Sequence, residues 1–279
     1  MEYCIKVPGN SGCNVEIVTH RGKPAVRKFA RTKDYVERLQ NQREKQREFK
    51  STINAIYIPK IIDYDDTSFT MEYLHMLDSI EFFETMHPKN IKNRLDVLFD
   101  LIKENFDTSE TTPVKTNLFL DKLEAIEKAI PPKIWQKYYS FHTQTICQAL
   151  PNHFIIPLGQ CHGDLTFSNI MFSMEDVKVG LIDFLDSFLE SPIIDIVKLR
   201  QDTKFNWTNF RYKMPHDTSK ISIIMSWLDG FVESTFSEMI NTDCFRILEL
   251  MNYLRIAPYV KTIREHEYLY SILDILKIK

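Results

Sequence analysis

Cys161-His162-Gly163-Asp164-Leu165-Thr166-Phe167-Ser168-Asn169-Ile170-Met171-Phe172, with Leu181-Ile182-Asp183-Phe184 after it, is the stretch that decides how the chain is read. It sets an aspartate, an asparagine five residues on, and a second aspartate after a short apolar strand, 19 residues beyond the first. Phosphoryl transfer needs such a set. One carboxylate orients an attacking hydroxyl, while an amide and a second carboxylate hold the magnesium that neutralises ATP phosphates. A surface turn at His162-Gly163-Asp164 with a strand-end cap at Asp183 is the plainer account. The ordered succession of loop, asparagine and strand–aspartate argues against it.

Composition narrows the class. The chain has 279 residues, 44% hydrophobic and 26% charged, which suits about two domains with a sizeable core. A formal net charge of −3 gives no electrostatic footprint for nucleic acid. The five cysteines are odd in number, scattered and without a Cys-x-x-Cys pair, which argues against a disulfide framework or a structural zinc. The sequence shows no basic-plus-apolar leader and no run of 18 apolar residues. The expectation is therefore a cytoplasmic protein with no membrane partner.

Working outward, residues 3–30 read as three strands, Tyr3–Val7, Asn14–His20 and Ala25–Ala30, turning at Pro8–Gly12 and Arg21–Pro24. Residues 33–52 are dense in charge, with Val36, Leu39 and Phe49 forming the narrow apolar edge of a helix. Ile58–Tyr64 and Ser68–Tyr73 predict two more strands. Beyond Leu74 the spacing predicts helices over Ile91–Phe106, Val114–Ile130 and Ile134–Leu150. After the strands of 154–184 it predicts Ile193–Asp202, Ser219–Ile240, Asp243–Ile263 and Glu267–Ile278. The class is α+β, with a boundary near Glu72–Met76.

A protein kinase carries His-Arg-Asp and Asp-Phe-Gly at the two motif positions. Here His162-Gly163-Asp164-Leu165-Thr166-Phe167-Ser168-Asn169-Ile170 resembles instead the catalytic loop of the aminoglycoside phosphotransferase and choline kinase family, relatives of the protein kinases. The resemblance implies a bilobal protein-kinase-like fold: a small β-rich ATP-binding lobe over 1–73 and a larger, mostly helical catalytic lobe over 74–279. It implies Asp164 as the catalytic, hydroxyl-orienting group, and Asn169 and Asp183 as ligands of Mg2+. In Ser191-Pro192-Ile193-Ile194-Asp195, Asp195 would brace the loop near His162 through backbone N–H groups. Lys28 would hold the ATP phosphates, since alternation puts Val26 and Lys28 on one face and Arg27 on the other. Glu44 would be its helix partner. Gly9-Asn10-Ser11-Gly12 would be the turn that covers the phosphates, with Ser11 and Gly12 as its nucleotide-binding residues. Backbone groups of Glu72 and Leu74, beside Met71, would meet the adenine edge.

The partner implied is a small-molecule hydroxyl acceptor: a sugar, an amino alcohol or an aminoglycoside-like compound. Asp229, Glu233, Glu238, Asp243 and Glu249 could receive a cationic acceptor, although a solvated helix surface is the commoner meaning of such a run. Trp207, Trp227, Tyr253 and Tyr259 could form an aromatic cage, although aromatics at these spacings are more often core. Asp186 could face metal or acceptor. Leu185 stands where choline kinases tend to carry an acidic residue. A catalytically idle kinase fold that binds a nucleotide or partner is the competing reading, and the presence of Lys28, Asp164, Asn169 and Asp183 together disfavours it.

Overall fold

Arg21 and Gly22 both take positive φ, 51° and 79°, the left-handed pair that lets a two-residue turn match the twist of its strands. They join β2 (Cys13–His20) to β3 (Lys23–Ala30), with β1 (Cys4–Val7) antiparallel on the far side of β2. The structure, a computed structural model, describes residues 4–7 and 12–277. Gly9, Asn10 and Ser11 of the expected phosphate turn lie outside them, as do Tyr3 and Ile278 at expected element ends.

Helix α1 (Val36–Glu48) follows, then the short β4 (Ile56–Tyr57), β5 (Ile61–Tyr64) and β6 (Ser68–Glu72). Among the described residues the first sheet runs β1-β2-β3-β6-β5, antiparallel throughout. Its small core is Cys13, Leu39, Phe69 and Met71. Leu39 faces this core as expected, whereas Phe49 sits past the helix end and packs on Phe184, ring centroids 5.0 Å apart.

The remainder is mostly helical. It opens with α2 (Ser79–Thr85) and α3 (Pro88–Asp107), then β7 (Glu110–Lys115) and α4 (Asn117–Lys128). Next come α5 (Pro132–Tyr138), α6 (Ser140–Ala149), β8 (His153–Leu158), β9 (Ile170–Phe172) and β10 (Val179–Leu181). The chain closes with α7 (Pro192–Thr203), α8 (Trp207–Arg211), α9 (Thr218–Thr235), α10 (Ser237–Ile240), α11 (Asp243–Ile256) and α12 (Ile263–Leu276). A single large cluster, which runs from Ile80 to Leu273 and also takes in Phe49, forms the core here.

Several expected elements differ. The strand expected over Ile58–Tyr64 begins only at Ile61, and Ile56–Tyr57 just before it belongs to another sheet, pairing in parallel with β10, which in turn pairs with β9. The lead-in to β5 is thus tied to the strand that Asp183 follows. Val114–Ile130 is not one helix, because β-branched Thr111, Thr112 and Val114 pair with β8 and the helix starts only at Asn117. Ile134–Leu150 breaks at Tyr139 (φ −127°), whose buried hydroxyl meets His266 Nδ1 at 2.5 Å. Ser219–Ile240 breaks at Phe236 (φ −116°). Asp243–Ile263 ends early at Ile256, before the tight Ala257-Pro258-Tyr259 turn. The final helix starts earlier than expected, at Ile263, because Thr262 and Glu265 form a capping box.

Candidate active site

Helix α7 underlies the loop between β8 and β9. Ser191 caps it by accepting from the Ile193 N–H at 3.3 Å, and Pro192 fills the first turn, where no amide donor is required. Asp195, Lys198 and Asp202 recur at i, i+3 and i+7 and so share one face. All three are buried. Asp195 accepts from the N–H groups of His162 (2.8 Å) and Gly163 (2.9 Å), as expected of a brace. Asp202 accepts from Phe167 N–H (2.6 Å) and Thr208 N–H (2.7 Å). Lys198 Nζ lies 2.9 Å from Asp164 Oδ1. Burial pushes the Asp195 carboxyl up to about 7 and Asp202 up to about 6, against the amide donors that favour their charged forms.

His162 is buried against Phe184, ring centroids 4.3 Å apart, and burial pushes it down to about 4. The ring is neutral at pH 7. Its partners assign the tautomer, because a carbonyl only accepts and an amide only donates. Nε2–H therefore donates to Ile182 O at 2.9 Å, and Nδ1 accepts from Asp164 N–H at 3.2 Å. Gly163 has φ +83°, and a Cβ there would stand 2.0 Å from Leu185 O. Both conformation and space require glycine.

These contacts present Asp164 at the surface of the cleft. Asn169 Nδ2 donates to Asp164 O (2.8 Å) and Oδ2 (2.9 Å), which leaves Asn169 Oδ1 for a cation. Burial pushes Asp164 up, but Lys198 beside it brings it below the ordinary carboxylate range. Across the cleft, Lys28 is buried on β3, its Nζ 5.8 Å from the centre of the Phe69 ring and in contact with the Asp183 carboxylate. Burial pushes Lys28 down to about 8, so it stays mainly an ammonium at pH 7. Asp183 follows β10 with φ 62°, a left-handed conformation that a residue with a side chain holds at roughly 1–2 kcal/mol. Such strain is characteristic of functional sites. Asn169 and Asp183 supply hard oxygens of the kind Mg2+ takes, and that ion usually completes its shell with phosphates and water. No group of three or more His, Cys, Asp or Glu able to hold a metal occurs among the described residues.

Glu44 does not pair with Lys28. It binds Arg43 (2.7 Å) and Arg47 (2.9 Å) on its own helix. At 100° per residue it lies about 140° round from inward-facing Leu39. Its neighbour Lys45 turns toward the catalytic side instead, donating to Leu185 O at 2.9 Å and Glu190 at 2.6 Å. Glu72 is constrained too. Its N–H donates to Lys60 O at 3.0 Å and its carboxylate accepts from Tyr57 OH and Lys60 N–H, so any adenine contact falls to its carbonyl. Leu74 lies against Gly180, where a Cβ would meet its Cδ1 at 2.6 Å. Gly12 lies under the Tyr35 ring, and its carbonyl accepts from Arg31 N–H at 3.0 Å.

Three of the five acidic residues set out above are engaged within the protein rather than free on a surface. Asp229 (3.8 Å), Glu233 (3.0 Å) and Glu249 (3.2 Å) surround the buried Arg200, whose single positive charge they share, with Lys204 at 4.0 Å from Glu233. There is no aromatic cage, since Tyr253 is wholly buried and Trp207 packs on Phe210 and Tyr268, whereas Trp227 and Tyr259 are exposed. A cavity of about 470 Å³ opens beside Asp164 instead, between α1, α4, α7 and α11, with Asp186 on its wall. Lys198 and Asp202 were not singled out from the sequence. Their i+3 and i+7 spacing from Asp195 was the available signal.

A family model described as a phosphotransferase enzyme family matches residues 7–214. No curated protein sequence matches the chain. Among solved structures, the choline kinase LicA from Streptococcus pneumoniae is similar at 14% identity, covering 98% of this chain and 92% of that one, with a TM-score of 0.63. A thermostable mutant of the aminoglycoside phosphotransferase APH(4)-Ia, in complex with AMP-PNP and hygromycin B, is 12% identical over 98% and 92%, with a TM-score of 0.62. The streptomycin–ATP ternary complex of APH(2″)-IIa is 14% identical over 98% and 91%, with a TM-score of 0.59. At these identities the likeness establishes a shared fold. No helix among the described residues is long and apolar enough to cross a membrane.

Proposed function

Because this chain belongs to the phosphotransferase enzyme family, we propose that it transfers the γ-phosphoryl group of ATP to a hydroxyl of a small molecule. In this reading residues 1–73 bind the nucleotide and 74–279 carry the catalytic loop and the acceptor. The observation that carries it is the pairing across the cleft: Asn169 bonded to Asp164 on one side, Lys28 against Asp183 on the other. Two of the fold relatives are complexes with ATP or AMP-PNP, which supports ATP as the donor.

Asp164 orients the acceptor hydroxyl and takes its proton late, as the new O–P bond forms and the bond to the β-phosphate oxygen breaks to release ADP. Lys198 holds Asp164 in its charged form. Lys28 lies on the donor side, where an ammonium would pair with phosphate oxygens in place of Asp183. Mg2+ bound through Asn169 and Asp183 would neutralise charge on the transferring phosphoryl group. His162, Asp195 and Asp202 touch no reacting atom. They position the loop.

The test is Asp164→Asn. Turnover of ATP with an acceptor should fall by about 10²–10⁴-fold, while the thermal shift with ATP and magnesium stays as in the parent. Retained turnover would remove Asp164 from the role. Absence of any nucleotide-dependent shift in the parent would favour an idle, binding-only fold.

A further inference from the structure

We propose that the acceptor carries an anionic group, a phosphate ester or a carboxylate, bound by Arg38, Lys122 and Arg255 in the cavity beside Asp164. This deepens the phosphotransferase reading and rests on it.

The charges of this cavity do not balance. Among the described residues lining it, Arg38, Lys122, Lys198, Arg211 and Arg255 stand against Asp164 and Asp186. Two of the cations are neutralised within the protein: Lys198 by Asp164 at 2.9 Å and Arg211 by Glu265 at 3.1 Å. Among the described residues the other three have no carboxylate within ion-pair distance. The charge of Asp164 favours the charged forms of Arg38 and Arg255 from farther off. Arg38 donates to Tyr259 OH at 3.2 Å and lies over the Tyr35 ring. Arg255 lies over the Phe188 ring at 5.3 Å. None of the three is fully exposed.

They converge from separate elements: Arg38 from α1, Lys122 from α4, and Arg255 from α11. Tyr259 records their joint field. Burial would raise its phenol, yet the hydrogen bond from Arg38 and the nearby charges of Arg38, Lys122 and Arg255 bring it below its ordinary value. Lys122 is lowered by burial and then by the charges of Arg255 and Arg38. Cations held this close repel each other unless an anion enters between them. Guanidinium groups also match the oxygens of phosphate and carboxylate in a two-point fork. A cationic acceptor would meet the opposite field.

The cavity suits a molecule of metabolite size. One part would lie on the three cations and a hydroxyl would reach Asp164. Because one cation comes from α1 and two from the helical part, a bound anion would also draw the two sides of the cleft together.

The experiment uses the full chain with its nucleotide site saturated by ADP and magnesium. Binding of glucose 6-phosphate, glucuronate, glucose and choline is measured by calorimetry, and ATP consumption is measured with the same four compounds. The proposal expects at least one of the two acidic sugars to bind, more weakly as salt rises, while glucose and choline do not. Preference between the two separates a phosphate ester from a carboxylate. Arg38→Gln and Lys122→Gln should each weaken the acidic probe by roughly ten- to a hundredfold without changing the affinity for ADP. Arg38 and Lys122 are only partly buried, so these two variants keep the test independent of any folding defect in Arg255→Gln.

Choline binding in the cavity, or no acidic probe binding at millimolar concentration, would overturn the proposal. So would acidic probes that bind only when ADP is absent, since the cations would then serve the nucleotide. Failure of the wider reading is a distinct result: no thermal shift with ATP and magnesium whatever the acceptor.

Discussion

Two neighbouring regions of this molecule treat charge in opposite ways. In the catalytic loop the buried polar groups meet protein partners: two amides share Asp195, a third binds Asp202, and both ring nitrogens of His162 are engaged. In the adjoining cavity Arg38, Lys122 and Arg255 converge with no carboxylate of the described residues within ion-pair distance of them. A loop that must hold Asp164 in one orientation gains from complete satisfaction, because an unpaired buried donor is strongly destabilising. A binding site gains from the reverse. Its charges are left for the ligand to complete.

The contrast can be broken most severely at Asp195. Asp195→Ala leaves the buried His162 and Gly163 amides unpaired, at about 1–3 kcal/mol each, so a loss of roughly 4 kcal/mol is expected in urea unfolding. A loss below 1 kcal/mol would mean that the brace contributes little.

The next effect is a dependence on pH. His162 is pushed down from 6.5 to about 4, so as pH falls the unfolded chain takes up that proton first. Stability from the neutral ring is present above about pH 6.5 and is lost towards pH 4, up to about 3 kcal/mol. Asp195 and Asp202 are raised, so their contributions run the other way, strongest at low pH and lost as pH rises through about 7 and about 6. The difference between the parent and His162→Gln, followed from pH 7 to 4.5, isolates the ring. Parallel curves would contradict the assignment.

The smallest effect sharpens the other side. Lys122→Gln removes a cation that its neighbours repel, so stability should stay level or rise by less than about 1 kcal/mol. A clear destabilisation would show Lys122 to be part of the protein's own charge balance.

The loop was readable because its chemistry is local. Asp164, Asn169 and Asp183 fall in one short segment, and Asp195 follows a Ser-Pro helix start. Glu44 misled because a helix crowded with charge offers many partners, and only the rotation of α1 about its inward Leu39 turns Glu44 to Arg43 and Arg47 rather than to Lys28. β7 was hidden because Val114 fits a helical spacing as well as a strand, and its partner β8 lies some 40 residues on.

By itself the sequence determined the order of the motif carboxylates and the apolar periodicities that separate a β-rich part from a helical one, because each depends on residues close along the chain. Only the tertiary structure decided which charges are neutralised. Asp229, Glu233 and Glu249 look like an open acidic face until Arg200 is found among them, and Arg38, Lys122 and Arg255 look like surface charge until three helices bring them together. The physical reason is that residue type sets which group can ionise, whereas its charge state and its energy are set by what stands within a few ångströms of it.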